Sequence, residues 1–250
     1  MKTLPQQIIR PYGDRKDDGQ IQISFVLPVA ASERAKEAAR QLLQKQGFVD
    51  VLVAQMDQAG DGYSFFVCYA KTQLSLDYAS IDVPEVKFHK LGFDELNDAI
   101  EEKLRRKIVV VGGCTGTDAH AVGIDAIMNM KGYNADYGLE RYPMFEALNM
   151  GSQVLNEAIL EKAVELDADA ILVSQIVTQR DVHKDNSRQL VELIQERGLA
   201  GRFLLLLGGP RIDHKLALEL GYDAGFGPGT KPSDVANFLF SAVLQKTSGA

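Results

Sequence analysis

The stretch Lys107 to Gly123, KIVVVGGCTGTDAHAVG, decides the fold, because it places an uninterrupted apolar run directly before a glycine-rich loop. Flat apolar runs of this length are typical of strands buried on both faces of a parallel sheet. Similar runs recur downstream with helical patterns between them. The predicted strands lie near 108–112, 134–138, 170–174, 203–207 and 223–226, and the last predicted helix covers 233–244. We therefore predict a doubly wound, Rossmann-like α/β domain with a five-stranded parallel sheet over residues 107–250.

The part of the chain before Lys107 has the pattern of a smaller α+β domain. The predicted β-α-β-β elements are strand 21–25, helix 33–46 with Ser32 as its cap, and strands 49–55 and 63–70. This domain is placed over 20–106 and includes a charged linker helix at 94–106. Residues 1–19 offer little apolar surface and are expected to form an N-terminal arm.

Composition and charge limit the classes of protein to consider. The 250 residues are 46% hydrophobic and 24% charged, as in ordinary globular chains, and the formal net charge is −7. The acidic residues are dispersed and no basic stripe is present, so nucleic acid is not expected as a partner. Neither a secretory signal nor an apolar stretch of about 18 residues is found, and Cys68 and Cys114 indicate no disulfide framework. We expect a soluble cytoplasmic protein without a membrane partner.

The glycine-rich loop after the first strand allows a dinucleotide-binding interpretation. Backbone amides at a helix start bind pyrophosphate groups, and Glu140 would then take a ribose hydroxyl. However, no G-x-G-x-x-G can be written through Gly112, Gly113 and Gly116, and His120 has no part in that scheme. The spacing therefore disfavours a nicotinamide dehydrogenase.

Small residues follow four of the five predicted strands. They are the glycines after the first strand, Ser174-Gln175-Ile176 after the third, Gly208-Gly209-Pro210 after the fourth and Phe226 to Thr230 after the fifth. Ligands of open α/β sheets bind beyond the carboxyl ends of the strands, and absent side chains let a bulky ligand approach the backbone. The alternative at any single loop is a glycine that only makes a short turn. Four such loops together predict a deep slot at this edge.

Asp118 and His120 lie two residues apart on the first loop. A carboxylate can accept the N–H of one ring nitrogen and so strengthen the other nitrogen as a metal donor. An isolated histidine is more often a surface residue, and His89, His183 and His214, which carry no motif, are assigned to surface or supporting positions. The pair at 118 and 120 is the candidate metal-binding element.

The D-x-H-x-x-G pattern of Asp118, His120 and Gly123 resembles the cobalamin-binding domain of mutases and corrinoid proteins. The resemblance extends over roughly 107–246 and includes Ser174 and the later glycine loops. It implies that His120 replaces the cofactor's own benzimidazole as the axial ligand of cobalt. It also implies that the displaced nucleotide tail enters the slot between the strand ends.

The resemblance also assigns the cofactor-binding residues. They are Thr117, Asp118, His120, Ala121, Val122, Gly123, Ser174, Gln175, Ile176, Gly208, Gly209, Phe226, Gly227 and Gly229. The family's usual serine, any residue, leucine pattern reads here as Ser174, Gln175, Ile176, an exchange of similar volume and polarity.

Lys131 narrows the resemblance further. It lies eleven residues after His120, in the stretch Asn129-Met130-Lys131-Gly132-Tyr133, which resembles the β-subunit family of lysine 5,6-aminomutases. In that family a lysine at this spacing forms a Schiff base with pyridoxal phosphate, so the resemblance implies that Lys131 is the catalytic residue. Without the resemblance, Lys131 is a solvated lysine in the last turn of a helix that Gly132 caps.

The resemblance further implies an isomerase that uses adenosylcobalamin and pyridoxal phosphate. Such a radical aminomutase moves the terminal amino group of D-lysine or L-β-lysine by a 1,2-migration, as in lysine degradation. A TIM barrel needs at least about 200 residues, so it is expected from a separate α subunit. Self-association through the domain at 20–106 would then give a heterotetramer.

Two other interpretations stay open at the level of sequence. One is a corrinoid carrier for a methyltransferase system, which lacks pyridoxal phosphate, so that Lys131 discriminates it from the aminomutase. Carriers of that kind usually have a helical bundle before the cobalamin domain, whereas this chain has a strand-rich unit. The other is an α/β response domain with incidental glycines, which leaves His120 unexplained.

Overall fold

The chain is described here by a computed structural model that covers residues 6–248. The first five residues of the predicted arm and the last two of the predicted second domain lie outside the described residues. Two compact units are separated between Asp82 and Val83. The predicted fold class, a parallel five-stranded α/β domain after a small α+β domain, is confirmed.

The first unit is an antiparallel sheet covered by one helix. Its elements are β1 (Ile8–Ile9), β2 (Gln20–Leu27), α1 (Glu33–Lys45), β3 (Val49–Gly60), β4 (Tyr63–Lys71) and β5 (Leu76–Asp77). The main sheet has the order β2-β4-β3, and α1 packs small and apolar residues such as Ala39 and Leu43 against Phe66. The predicted cap of α1 is present, since Ser32 Oγ accepts the Ala35 amide at 3.1 Å.

Residues 6–19, within the predicted arm, are structured in the first unit. β1 pairs antiparallel with β5. The turn before β2 is organised by Asp18, whose carboxylate accepts the amides of Gly13, Arg15 and Gln20 at 2.9 to 3.0 Å. Local side-chain acceptors of this kind satisfy backbone donors that neither a helix nor a sheet pairs.

The second unit is a parallel sheet with helices on both faces. Its elements are α2 (Phe93–Leu104), β6 (Ile108–Gly113), α3 (Val122–Met128), β7 (Phe145–Asn149), α4 (Asn156–Glu165), β8 (Ala170–Ser174), α5 (Val182–Glu196), β9 (Leu204–Gly208), α6 (His214–Glu219), β10 (Ala224–Phe226) and α7 (Pro232–Ser248). The strand order is β10-β9-β8-β6-β7. Two apolar clusters cover the sheet, one formed with α2, α3 and α7 and the other with α4, α5 and α6. The helix predicted as a linker at 94–106 thus packs into the second unit.

One predicted strand is wrong. The run at 134–138 is a turn in which Asn134 and Ala135 have φ of 53° and 61°, and the second strand of the sheet is Phe145–Asn149. This strand lies at the sheet edge, paired only with β6, and its residues alternate between more and less buried. An edge strand needs no flat apolar run, so the pattern that identified the inner strands failed here. Glu140 accordingly precedes the second strand instead of following it.

Every helix within residues 6–248 is too short or too polar to cross a bilayer.

Candidate functional site

The candidate site lies at the carboxyl edge of the parallel sheet. The loops after β6, β8, β9 and β10 meet there, because these strands are neighbours and run in the same direction. The sheet order reverses between β6 and β8, which is the place where doubly wound folds bind ligands.

Asp118 is the centre of the first loop. Its side chain is fully buried, and its Oδ1 contacts Nδ1 of His120 at 3.0 Å and accepts the His120 amide at the same distance. Its Oδ2 accepts the amides of Ile176 at 2.5 Å and Val177 at 3.0 Å. One carboxylate thus fixes the imidazole and joins the loop after β6 to the loop after β8.

The surroundings of Asp118 stabilise its charge. Burial by itself raises the pKa of this carboxyl, but the amides of Val177, His120 and Ile176 and the ring of His120 donate to it and outweigh burial. The net effect is a pKa below the usual value. Asp118 is therefore ionised at neutral pH and accepts the Nδ1 proton of His120.

Two buried groups support the same loop. The thiol of Cys114 donates to the His120 carbonyl at 3.1 Å, and burial raises the pKa of Cys114 to about 11. The side-chain amide of Gln175 donates to the hydroxyl and carbonyl of Thr115 at 2.8 and 3.1 Å. Gln175, predicted as cofactor-binding, thus supports the loop from inside the protein.

An apolar slot of about 370 Å³ opens beside this loop. Nine of the predicted residues line it: Val122, Gly123, Ser174, Ile176, Gly208, Gly209, Phe226, Gly227 and Gly229. Five do not line it: Thr117, Asp118, His120, Ala121 and Gln175. The structure therefore divides the predicted set between the slot and the loop after β6 that carries His120, and Gln175 supports that loop from the end of β8.

Glycines are needed where the slot is narrow. A Cβ on Gly123 would lie 2.7 Å from Ser174 Oγ, too close for any van der Waals contact. Gly209 has φ of 154°, and a Cβ there would collide with the backbone carbonyl of Gln175. The bare backbone at these positions lets α3 and the loop after β9 pack closely against the end of β8, which shapes the slot.

Sequence analysis missed the apolar floor of the slot. Leu172 and Leu206 on the strands, Ile127 on α3 and Val235 on α7 line it together with Tyr133. Aliphatic residues in strands and helices look like ordinary core, so no signal marked them. Tyr133 could have been suspected, because it stands two residues after Lys131.

Lys131 is exposed and lies in a turn, beyond the end of α3 at Met128. We call residues 129–138 the lysine loop. The Gly132 amide donates to the Asn129 carbonyl at 2.8 Å, so Lys131 is the third residue of a four-residue turn. The alternative position for Lys131, the last turn of a helix, is not observed.

The residues of the site fit a cobalamin. The side chain of His120 is 59% exposed, and its Nδ1 is held by Asp118, which leaves Nε2 without a partner in the described residues and able to bind a metal. The slot offers bare backbone and apolar walls to a flat aromatic base. The exposed imidazole of His120 and the slot lie at the same edge of the sheet, as a ligand with a cobalt centre and a detached tail would require.

Comparisons with known proteins identify the family. A family model described as "B12 binding domain" matches residues 108–236, and one described as "Dimerisation domain of d-ornithine 4,5-aminomutase" matches residues 8–85. The lysine 5,6-aminomutase beta subunit of Fusobacterium nucleatum is 52% identical over 98% of this chain and 93% of its own length. The corresponding subunit of Acetoanaerobium sticklandii is also 52% identical, over 95% of this chain and 90% of its own length.

A more distant relative has the same two-part arrangement inside a longer chain. The D-ornithine 4,5-aminomutase subunit beta of Acetoanaerobium sticklandii is 30% identical over 93% of this chain, which spans only 30% of that protein. By contrast, the relatives with 52% identity match this chain nearly end to end. These matches confirm the resemblance on which the prediction rested, and the chain belongs to the family of lysine 5,6-aminomutase β subunits.

Proposed function

We propose that this chain carries adenosylcobalamin and pyridoxal phosphate in an aminomutase that moves the terminal amino group of D-lysine or L-β-lysine. The observation that supports it most is the Asp118-oriented His120 beside a glycine-lined slot, in a chain 52% identical to β subunits of lysine 5,6-aminomutase. When bound, adenosylcobalamin supplies the hydrogen-abstracting radical, and pyridoxal phosphate holds the migrating amine.

His120 would bind cobalt through Nε2. Ionised Asp118 keeps the proton on Nδ1, so that the lone pair of Nε2 is available to the metal. The two hydrogen bonds from Ile176 and Val177 prevent the carboxylate from turning away. The pair would therefore set both the orientation of the ring and its strength as a donor.

Lys131 would hold pyridoxal phosphate through its side-chain amine. The amine is exposed and follows α3, whose first residues line the slot, so one short segment would serve both cofactors. Lys131→Ala should abolish the absorbance band of bound pyridoxal phosphate in the full chain but leave cobalamin binding intact. Cobalamin binding without any lysine-dependent band would favour a corrinoid carrier instead.

A separate TIM-barrel α subunit would cover the site. Val122 and Met130 are exposed apolar residues close to His120 and Lys131 in the sequence, and radical chemistry requires that water be excluded. We expect a Val122→Asp, Met130→Asp double variant to weaken co-purification with the α subunit. Leu218→Asp, on exposed α6, is the control, and equal recovery of both variants would argue against this face.

A second copy of the chain would pair with the open face of the first unit. The face opposite α1 carries Val26, Leu52 and Tyr69, all exposed, and Leu52 is directly opposite Tyr69 across β3 and β4. The match to a dimerisation domain over residues 8–85 supports self-association here. Val26→Asp with Tyr69→Asp should convert a dimer to a monomer in light scattering, and an unchanged mass would refute this assignment.

Electron paramagnetic resonance tests the cobalt ligand. In the Co(II) form, an axial nitrogen splits the cobalt lines into triplets if it is ¹⁴N and doublets if it is ¹⁵N. Protein grown with ¹⁵N-histidine and loaded with unlabelled cobalamin should show doublets, which His120→Ala removes and His89→Ala does not. Triplets from the labelled protein would mean that the cofactor keeps its own base, and would overturn the assignment of His120.

A further inference from the structure

The lysine loop is tied to the slot at two points. Tyr133 lines the slot directly. Asp136 accepts the amide of Ser233 at 2.9 Å and its hydroxyl at 2.6 Å, and Ser233 stands in the first turn of α7. Asp136 and Ser233 are 97 positions apart in the chain.

The first turn of α7 belongs to the slot wall. Thr230, just before α7, and Val235 within it both line the slot. The Ser233 amide has no partner within the helix, because the first four amides of a helix never do, and Asp136 supplies the missing acceptor. A shift of the first turn of α7 would therefore move Asp136 through its two hydrogen bonds with Ser233.

The lysine loop is stiff between these contacts and Lys131. Tyr133 and Asp136 exchange two backbone hydrogen bonds of 3.0 Å, which close the turn between them. A Cβ on Gly132 would collide with the Asp136 carbonyl, and one on Gly138 with the Asn129 carbonyl, so both glycines are packed directly on backbone atoms of the loop. A displacement of Tyr133 or Asp136 thus moves the turn that carries Lys131.

The base of the loop is fixed separately. The Met130 amide donates to Glu140 at 3.0 Å, and the side-chain amide of Asn149 donates to Asn129 at 3.0 Å and to Asp125 at 2.7 Å. These bonds tie the loop to the edge strand and to α3. The loop therefore has a firm base and two contacts toward the slot.

We propose that the lysine loop couples the two cofactor sites: Tyr133 and Asp136 transmit filling of the slot by the cobalamin tail to Lys131. Tyr133 and Asp136 are positioning residues here. This inference rests on the proposed function, because it needs a tail in the slot and pyridoxal phosphate on Lys131. Coupling of this kind is reciprocal: if cobalamin changes the affinity of Lys131 for pyridoxal phosphate by some factor, pyridoxal phosphate on Lys131 would change the affinity for cobalamin by that same factor.

Hydrogen exchange of the full chain, with and without hydroxocobalamin, tests the coupling. In the wild type, hydroxocobalamin should slow exchange at the amides of 129–138 by about five-fold or more, the lower end of typical couplings. The same addition should change the affinity of the chain for pyridoxal phosphate, measured by equilibrium dialysis, by a similar factor. Asp136→Ala, which lies outside the slot lining and removes only the contact with Ser233, should still bind hydroxocobalamin but lose most of both responses. Asp98→Asn, an exposed substitution on α2, should keep them.

The outcomes separate the two proposals. Unchanged exchange in β8 (170–174) of Asp136→Ala shows that the domain is folded. If the folded Asp136→Ala variant responds like the wild type, or the wild type binds hydroxocobalamin without any change at 129–138, the coupling is refuted and the proposed function stands. A wild-type chain that binds no hydroxocobalamin at all would refute the proposed function, and the coupling with it.

Discussion

Replacing Asp118 by Asn should destabilise the domain and change the tautomer of His120. The carboxylate accepts two hydrogen bonds from His120 and one each from the amides of Ile176 and Val177. An Asn side chain of the same shape has one oxygen and one NH₂ group, so it keeps two of these four. The oxygen should stay opposite Ile176 and Val177, because two backbone amides donate on that side and only one, that of His120, donates on the other. The imidazole on the other side can move its proton and accept instead.

The expected cost follows from the bonds lost. The bond from the His120 amide is lost, and the bond to the ring is replaced by a neutral one of opposite direction. One hydrogen bond to a charged acceptor contributes about 1.5–3 kcal/mol, so the free energy of unfolding should fall by about that amount. In a chain of this size about 1 kcal/mol corresponds to about 2–4 °C, so the melting temperature should fall by about 3–12 °C.

The same substitution should weaken cobalamin binding. With an NH₂ group opposite Nδ1, that nitrogen becomes the acceptor and the proton moves to Nε2, which then offers no lone pair to cobalt. Loss of such an orienting partner reduces metal affinity by about 10–100-fold.

Thermal unfolding by circular dichroism and titration with hydroxocobalamin measure the two effects, with exposed Asp98→Asn as the control. A melting temperature of Asp118→Asn within about 2 °C of the wild type, the range of ordinary surface substitutions, would refute the reasoning if the affinity were also unchanged.

Three further results are expected. The pKa of Asp118 is lower in the folded state than its usual 3.8. The stability that ionised Asp118 contributes is therefore fully present above pH 3.8 and is lost as the pH falls through the folded pKa. The difference in the free energy of unfolding between wild type and Asp118→Asn, measured in urea, should shrink below about pH 4. Cys114, whose pKa burial raises to about 11, should resist iodoacetamide in the native protein at pH 8 and react in denaturant, as mass spectrometry would show; rapid native alkylation would contradict its burial. Gly209→Ala should lower the free energy of unfolding by about 1–3 kcal/mol more than Gly201→Ala. Both glycines have positive φ, but only a Cβ at Gly209 would meet a backbone carbonyl, that of Gln175. Equal urea midpoints of the two variants would contradict the close contact at Gly209.

The sequence predicted the features that local pattern controls. Flat apolar runs marked the inner strands, and the two-residue spacing of Asp118 and His120 predicted their side-chain contact. Both depend on residues close together in the chain. The edge strand at Phe145–Asn149 was not predicted, because its residues are buried less uniformly than those of the inner strands and form no flat apolar run.

The remaining parts of the site depend on residues far apart. The bond between Asp136 and Ser233 spans 97 positions, and Val235 reaches the slot only because α7 packs beside α3. None of these three residues differs in type from ordinary surface or core residues. Only the assembled sheet brings them together, so no local pattern could have marked them.

The order of the strands also determines when the site can exist. The imidazole is carried by the loop after β6, the first strand of the parallel sheet to be made, but the slot needs β10 and the first turn of α7. Under the proposed function, a growing polypeptide that has passed His120 but not Val235 would hold a metal donor with no complete slot for the tail. Cofactor capture would then follow synthesis of the first turn of α7, and cobalamin would not act as a template on which the earlier strands fold.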